Sequence, residues 1–238
     1  MLAKFFIGAM LCAVISARSI DWGGDIVYLV PYGEFEIEEP EYSHRVRRQT
    51  QGSITYDSSG KVELGGKAPL AGNDEKMLSV LGTRDSKGGS GFGVALDHVN
   101  GHGLQVMKKS IPGFGDTLTG AGHVTVFHND NHDLKANAFV SRSMPDHPQV
   151  PNFNTYGGGA DYMYKEKVGA SLGMSNTPFL DRNDYSAKAN LNLFRSPTSS
   201  LDFGAGVQKF ETPHFSSSWE PFAGVTYTSQ FPKFFSFN

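Results

Sequence analysis

Strict alternation of apolar and polar residues is the feature that most limits how this chain can fold. In residues 185–192, YSAKANLN, the odd positions carry Tyr, Ala and Leu, and the even positions carry Ser, Lys and Asn. Successive side chains of a β-strand point to opposite faces, so this period of two predicts a strand with one apolar and one polar face. Further segments alternate likewise: residues 92–98, 117–127, 134–141, 156–164, 201–210 and 222–229.

Turn signals separate these segments, and helical periodicity is nearly absent. The signals are Ser58-Ser59-Gly60, Asn100-Gly101, Asn129-Asp130-Asn131, Lys165-Glu166 and Pro197-Thr198-Ser199. The pattern predicts an all-β fold, an antiparallel β-meander of roughly ten to twelve strands joined by short hairpins. We expect the meander to close into a barrel-like body, because closure removes exposed strand edges.

The apolar faces of these segments are rich in Gly and Ala, and 24 of the 28 glycines lie in residues 49–238. A core built from such small residues buries little apolar area and is only modestly stabilised. We therefore expect either a soluble barrel with a wet interior or a chain that stays loose until it meets lipid.

The first 18 residues have the layout of a secretory signal peptide. Lys4 precedes an apolar run over residues 5–15, and the small residues Ser16 and Ala17 follow. The run is too short to span a bilayer comfortably and has the usual order of a cleaved signal. We therefore expect cleavage near Ala17 and a secreted, extracellular protein.

Residues 19–48 form an acidic segment that ends in Arg45, Arg47 and Arg48. It contains seven Asp and Glu residues, a composition that does not build a core. Arg-x-Arg-Arg is the pattern that furin-type convertases recognise, since an acidic pocket can pair several guanidinium groups. We interpret residues 19–48 as a propeptide and expect the mature chain to begin at Gln49. A patch for nucleic acid or heparin is the alternative, which the acidic flank disfavours.

The mature chain defined in this way is nearly neutral and contains no cysteine. The single cysteine, Cys12, lies in the signal peptide. This excludes a disulfide scaffold and thiolate chemistry. Seven of the 24 acidic and five of the 21 basic residues precede Gln49, which leaves a net charge of about −1. A strongly basic lytic peptide is therefore excluded.

Two motifs raise the question of an enzyme or a metal site. Residues 88–93, GGSGFG, lack the Lys-Ser/Thr pair and helix of a phosphate loop, so we interpret them as a glycine loop that enters a strand. Residues 128–133, HNDNHD, offer possible metal ligands, but Asn and Asp are also what tight turns require. We favour a polar hairpin tip, and the sequence predicts no enzyme, no metal and no cofactor. The ligands in question are His128, Asp130, His132 and Asp133.

An internal echo links two of the alternating segments. Lys135-Ala136-Asn137 and Lys188-Ala189-Asn190 are each followed by Arg-Ser and then Pro at similar distances. A duplicated glycine-rich unit with the same exit turn would explain the echo. Chance similarity in a sequence of low diversity is the alternative.

Residues 45–60, 88–106 and 215–231, together with the Lys-Ala-Asn pair, resemble the attacin family of inducible insect antibacterial proteins. The order of signal peptide, acidic propeptide and cysteine-free, glycine-rich body is similar as well. The resemblance implies an N-terminal attacin region at 49–115 and a C-terminal region with two glycine-rich repeats at 116–238. It also implies secretion into haemolymph and action on Gram-negative bacteria through lipopolysaccharide and the outer membrane. The partners expected are therefore this envelope and a furin-like convertase, and no nucleic acid.

Two other functions remain open from the sequence. A secreted structural protein of cuticle or eggshell would also be glycine-rich, although tandem repeats are lacking here. A membrane-inserting β-barrel pore would have strands of about ten alternating residues, as seen here. Aromatic girdles, which such barrels carry at both membrane surfaces, are not evident in the sequence.

The C-terminal stretch QFPKFFSFN concentrates aromatic residues around one cation. Alternate rings could plug the end of the barrel. Alternatively, the rings could enter the acyl boundary of a membrane while the ammonium group meets a phosphate. The candidate membrane or lipopolysaccharide contacts are Phe231, Lys233, Phe234, Phe235 and Phe237.

Overall fold

The computed structural model describes residues 50–231, and most of this range is β-strand. The only helical element in the range is a 3-10 turn, Pro178–Leu180, and no helix there has the length and apolar character needed to cross a membrane. The strands are β1 Thr50–Asp57, β2 Val62–Gly72, β3 Lys76–Asp85, β4 Ser90–His98, β5 Gly103–Ile111, β6 Gly115–His128, β7 His132–Pro145, β8 Phe153–Tyr164, β9 Val168–Thr177, β10 Arg182–Arg195, β11 Ser199–Thr212, β12 Phe215–Ser216 and β13 Glu220–Phe231.

These strands form one closed antiparallel sheet. Each strand from β1 to β10 pairs with the next along the chain, β11 pairs with β13, and β13 pairs with β1. The two-residue β12 pairs only with β11 among the described strands. The other twelve strands therefore close into a barrel, which confirms the predicted all-β, barrel-like meander.

The strands are strongly inclined to the barrel axis. Gly72, the last residue of β2, pairs with a residue of β3, which in turn pairs with a residue of the next strand. Following these pairs across the nine strands from β3 to β11 leads to Glu220, the first residue of β13. Gly72 and Glu220 lie at opposite ends of the barrel. This stagger is the geometric requirement for closing a sheet, and barrels of this kind have strands tilted by roughly 35–45°.

The barrel has two distinct ends. At the termini end, the first described residue, Thr50, pairs with the last, Phe231. The turns at this end are residues 73–75, 99–102, 129–131, 165–167 and 196–198. At the opposite end, called here the far end, the connections are residues 58–61, 86–89, 112–114, 146–152, 178–181 and 213–219.

The apolar face of each strand points outward, and the polar face lines the interior. In the part of the chain that the structure describes, the only buried hydrophobic side chains are Met77, Ala95 and Phe153. The buried polar side chains are Ser79, Lys135, Ser143, Thr177, Ser217, Thr226 and Thr228. The polar interior fits the expected barrel with a wet interior, whereas the expectation that the Gly-Ala faces form a core is wrong. Those faces cover the outside, because the charged side chains of the other face pair with one another inside the barrel.

Glycines on the inward face make room for long inward side chains from neighbouring strands. A Cβ atom at Gly103 would overlap the imidazole of His123, and one at Gly204 would overlap Cε of Lys188. The members of each pair lie directly or diagonally opposite each other on adjacent strands. The glycine richness of the chain therefore follows in part from filling a narrow lumen.

Every alternating segment found in the sequence lies within a strand, and every turn signal lies at a hairpin, so these predictions are confirmed.

The structure also shows where the two copies of the Lys-Ala-Asn echo lie. The Lys and Asn of both copies point inward, but β7 and β10 run in opposite directions, since they are three strands apart in an antiparallel sheet. Pro145 ends β7 before the seven-residue connection 146–152, whereas Pro197 lies inside the three-residue turn 196–198. The two copies therefore do not share an exit turn, and the duplication itself stays a prediction.

Candidate membrane interface

A continuous apolar belt surrounds the outside of the barrel. Outward alanines and glycines fill the gaps between its larger side chains, and Leu172, in the middle of β9, is 63% exposed. Exposed apolar surface on this scale marks an interaction surface in a folded protein. The larger members of the belt are Ile54, Leu64, Val94, Leu96, Leu104, Val106, Val124, Val140, Leu172, Met174, Leu191, Leu193, Val207 and Val225.

The height of the belt suits a lipid bilayer. On β10 the outward apolar positions run from Tyr185 to Leu193, nine residues that extend over about 26 Å at about 3.3 Å per residue. A tilt of roughly 40° reduces this to about 20 Å along the barrel axis. Transmembrane β-barrels carry an outward apolar band about 25 Å tall, so the two heights are comparable.

Aromatic residues border the belt at both ends, so the expectation that girdles are absent is wrong. The members of each girdle come from distant parts of the sequence, and only the antiparallel register brings them to a common height. Every member is at least 38% exposed. The far-end girdle consists of Tyr56, Phe92, Tyr156 and Tyr185. The termini-end girdle consists of Phe127, Tyr164, Phe194 and Phe231.

A polar cluster adjoins the termini-end girdle on β7 and β8. His132 Nδ1 and Tyr162 Oη are hydrogen-bonded at 2.6 Å, and the His132 ring lies 5.1 Å from that of Tyr164. Lys165 Nζ lies 5.4 Å from the Tyr164 ring centroid. Rings with a polar tip are the residues that favour a membrane–water boundary.

The HNDNHD stretch forms the turn between β6 and β7. Asn129 Oδ1 accepts hydrogen bonds from the backbone N–H groups of Asn131 and His132, at 3.0 and 2.8 Å. This confirms the predicted polar hairpin tip. Over residues 50–231, no group of three or more His, Cys, Asp or Glu side chains is arranged to hold a metal ion.

Four cationic side chains lie on the outside of the barrel, either beside the far-end girdle or between that girdle and the far-end connections. Lys108 pairs with Asp116 at 2.6 Å, and Lys209 pairs with Glu211 at 2.6 Å. Arg84 and Arg142 are exposed and make no ion pair with any residue in the described range. We call Arg84, Lys108, Arg142 and Lys209 the basic collar.

Inside the barrel, ionic groups pair across strands near the far end. Glu63 Oε2 accepts hydrogen bonds from Lys61 Nζ and Lys109 Nζ, each at 3.1 Å, and Lys61 Nζ lies 3.4 Å from Asp85. Lys61 belongs to the turn between β1 and β2. Burial lowers the pKa of Lys61, but its contacts with Glu63 and Asp85 outweigh this and leave that pKa above its ordinary value.

A second set of ionic groups lies deeper in the lumen. Lys135 Nζ is 3.4 Å from Asp133, and Asn137 Nδ2 donates to Asp161 at 2.5 Å. On the neighbouring wall, Lys67 pairs with Asp97 at 2.9 Å. The lumen is therefore lined by charges of both signs that largely compensate each other.

Of the candidate contacts at the C-terminus, the structure describes only Phe231. It points outward at the end of β13 and is 44% exposed, so it does not plug the barrel. Lys233, Phe234, Phe235 and Phe237 lie outside the described residues, as do Arg45, Arg47, Arg48 and Gln49 of the processing site.

Comparison with known proteins identifies the family. A family model described as the attacin C-terminal region matches residues 112–231. Attacin-A of Trichoplusia ni is 56% identical over 96% of this chain and 97% of that relative. The chain belongs to the attacin family. Attacin-E of Hyalophora cecropia is 47% identical over 95% of the chain and 97% of its own length, and Defense protein 3 of Lonomia obliqua is 43% identical over 97% and 100%. Membership of this family makes the chain an antibacterial immune protein.

Solved structures share the attacin barrel without sharing its sequence. An outer membrane channel from Pseudomonas putida F1 has a TM-score of 0.55 at 8% identity, covering 82% of this chain and all of that one. The NanC porin has a TM-score of 0.50 at 7% identity, covering 77% of this chain and all of that one. At such identities the likeness shows the fold alone.

The belt, the girdles and the basic collar were missed by reasoning from the sequence. Alternation separates two faces but does not say which one points inward. The available signal was chemical: the polar faces carry ionic groups of both signs, such as Lys135 and Asp161, which lie opposite each other in the register.

Proposed function

We propose that the mature protein is a secreted antibacterial effector that inserts into the outer membrane of Gram-negative bacteria. The observation that carries this proposal is the apolar belt on a closed barrel whose charged face points inward. A closed barrel satisfies its backbone hydrogen bonds internally, which is the condition for β-structure in lipid. Exposure of the belt to water costs about 25 cal/mol per Å² of apolar surface, and lipid removes that cost.

Release of the mature chain by a furin-type convertase fits this function. The proposed cut after Arg48 leaves one residue, Gln49, before Thr50, the first residue of β1, so the whole barrel remains intact. The cut also removes seven acidic residues, which would be repelled by an anionic envelope. We place the released protein in the haemolymph.

Lipopolysaccharide is the envelope component that the charged groups suit best. Lipid A phosphates would meet the basic collar when the barrel first docks, because arginine can bind phosphate through two hydrogen bonds. At the termini end, Phe231 belongs to the girdle, and Lys233 with Phe234, Phe235 and Phe237 is the proposed additional contact.

A charge placed on the belt tests the proposal. Leu172→Arg should preserve the β-sheet circular dichroism spectrum, since Leu172 points into solvent, but should weaken binding to lipopolysaccharide vesicles about 30-fold or more. The cost of Arg at the midplane of a transmembrane barrel is about 2–4 kcal/mol. Thr198→Arg adds the same charge to an exposed turn and should bind and kill like wild type. Unchanged binding and killing by Leu172→Arg would refute insertion.

A second candidate function is an ion-conducting pore, and the charged lumen favours it. Interior polar and ionic side chains are typical of barrels that hold water. Current across planar bilayers to which the mature protein is added measures this activity directly.

A further inference from the structure

The two ends of the barrel differ in the aromatic residues of their connections. The turns at the termini end include Asn73-Asp74-Glu75, Asn129-Asp130-Asn131 and Lys165-Glu166-Lys167. At the far end, residues 178–180 read Pro-Phe-Leu, and residues 213–219 include Phe215 and Trp219. Polar turns occur at the far end as well, at residues 58–61 and 86–89, but among the described connections only those of the far end contain Phe or Trp.

These far-end side chains are exposed, and the fold holds them in place. Phe179, Phe215 and Trp219 are 50%, 60% and 53% exposed. Phe179 stacks on the buried Phe153 with ring centroids 5.5 Å apart, and the Phe215 ring lies 5.6 Å from that of Phe210. A rigid ring that faces water has already lost its conformational entropy, so little remains to be lost when it binds an apolar medium.

The exposed residues are grouped on one side of the far end. They lie in three successive connections, β7–β8, β9–β10 and β11–β13, whose strands are neighbours in the sheet. Strands β7, β10 and β11 are 14 residues long, against eight for β1 and nine for β4, so this side has the longest strands. We call Val150, Phe179, Leu180, Phe215 and Trp219 the aromatic tip.

We propose that the barrel enters an anionic bilayer far end first, led by the aromatic tip. Whichever end enters first must carry its turns through the hydrocarbon region. Both ends carry charged turn residues, among them Lys87, Asp146 and Asp181 at the far end, and charge is costly in the hydrocarbon for either. The direction therefore rests on the aromatic tip, which offers exposed rings to the acyl region. Both chain ends then remain on the side of entry. This inference rests on the proposed function, since it concerns the direction of the same insertion.

The basic collar supports the same direction. Arg142 on β7 and Lys209 on β11 lie on strands that carry the connections of the aromatic tip. In a first docked state, the rings would enter the acyl boundary while these cations meet lipid phosphates. This combination of apolar and cationic groups is the one that binds anionic membrane surfaces.

The rate of docking tests the role of the tip. The predicted mature chain retains only Trp219, because Trp22 lies in the propeptide, so its emission reports the tip directly. Phe179→Ser/Phe215→Ser should slow the binding of lipopolysaccharide–phospholipid vesicles about 10-fold or more, and Val150→Ser/Leu180→Ser should slow it without breaking either ring pair. Leu70→Ser/Val126→Ser changes two exposed apolar side chains near the termini end, outside the belt, the girdles and the tip, and should leave the initial rate unchanged. Tip variants that keep their spectrum and bind at the wild-type rate would refute the proposal.

The orientation after insertion is a second, independent test. The mature chain has no cysteine, so Ser59→Cys at the far end and Thr198→Cys at the termini end each give one exposed thiol. Once bound to vesicles, Thr198→Cys should react with a membrane-impermeant maleimide, and Ser59→Cys should react only after detergent is added. The reverse pattern, or labelling of each thiol in only part of the bound protein before detergent is added, would refute entry by the far end but leave insertion standing. If both thiols react completely without detergent, the barrel does not insert, and the proposed function itself fails.

Discussion

The ring of Phe139 lies over Gly157 inside the barrel. The two residues are paired in register on β7 and β8, and both point inward. A Cβ atom at Gly157 would overlap Cε1 and Cζ of the ring and would also lie 2.8 Å from the carbonyl oxygen of Met174. Glycine is therefore required where a large inward side chain leans across the neighbouring strand.

Gly157→Ala should destabilise the barrel by about 1–3 kcal/mol, the usual cost of overpacking a filled interior. Gly82→Ala is the matched control, because a Cβ there meets nothing within 4 Å. It should change the free energy of unfolding by no more than about 0.5 kcal/mol. Urea unfolding of residues 49–238 measures both free energies. Equal effects of the two substitutions would show that the contact with Phe139 is not the reason why position 157 requires glycine.

Lys135→Met should destabilise the barrel by about 3 kcal/mol or more, because it leaves the lumen carboxylate of Asp133 without this cation. Lys135 is only 7% exposed, so water cannot replace the pair fully. Lys76→Met removes an exposed lysine from the outside of β3 and should have little effect. Adding Asp133→Asn to Lys135→Met should recover part of the loss. No recovery in the double variant would mean that packing, rather than charge, accounts for the effect.

Lys67→Glu should raise the cation selectivity of any current through the inserted barrel. Lys67 points into the lumen beside Asp97, so the change reverses a charge on the wall of the proposed pathway. Lys108→Glu makes the same change on the outer surface and should leave selectivity unaltered. Reversal potentials in planar bilayers under a salt gradient distinguish the two. If the protein inserts but carries no current, the pore hypothesis is rejected and the proposal of membrane insertion is retained.

Alternation in the sequence locates β4, β6, β7, β8, β10, β11 and β13, and the turn signals predict hairpins and closure, but neither gives the orientation of the sheet. Tyr185, Ala187 and Leu191 form an apolar face that would suit a protein core or a lipid boundary equally well, because both are apolar media. Deciding between them requires the cross-strand partners of the polar face, such as Asn137 with Asp161. These partners depend on the register, which alternation within a single strand does not determine.

Strands β1, β2, β3, β5 and β9 lie outside the segments that alternation identified. In β2 the pair Gly65-Gly66 and Pro69 interrupt the alternation, and the register shifts between Pro69 and Ala71. Such irregular positions weaken local patterns, while pairing with β1 and β3 holds the strand in place.

Arg48→Ala should keep residues 19–48 attached to the secreted protein. Mass spectrometry of wild-type material should find an N-terminus at Gln49, as Gln or pyroglutamate. The retained acidic segment should weaken binding to lipopolysaccharide vesicles. Full activity of secreted residues 19–238 as the only form would contradict a role for processing.

Phe234→Ser/Phe235→Ser should lower vesicle affinity without lowering the thermal stability of the mature protein. The neighbouring Phe231 ends β13 on the outside of the barrel, in the termini-end girdle, and its backbone pairs with Thr50. A tail that continues from this point begins at the height of the membrane boundary, where aromatic rings and Lys233 can contact acyl chains and phosphate together.

Circular dichroism melting and vesicle binding separate this role from a structural one. If the rings stabilised the barrel, melting temperature and affinity would fall together. Because entry by the far end leaves the tail on the side of entry, the double variant should also keep the wild-type initial rate of Trp219 binding while dissociating faster. A variant that dissociates and kills like wild type would exclude the tail as a membrane contact.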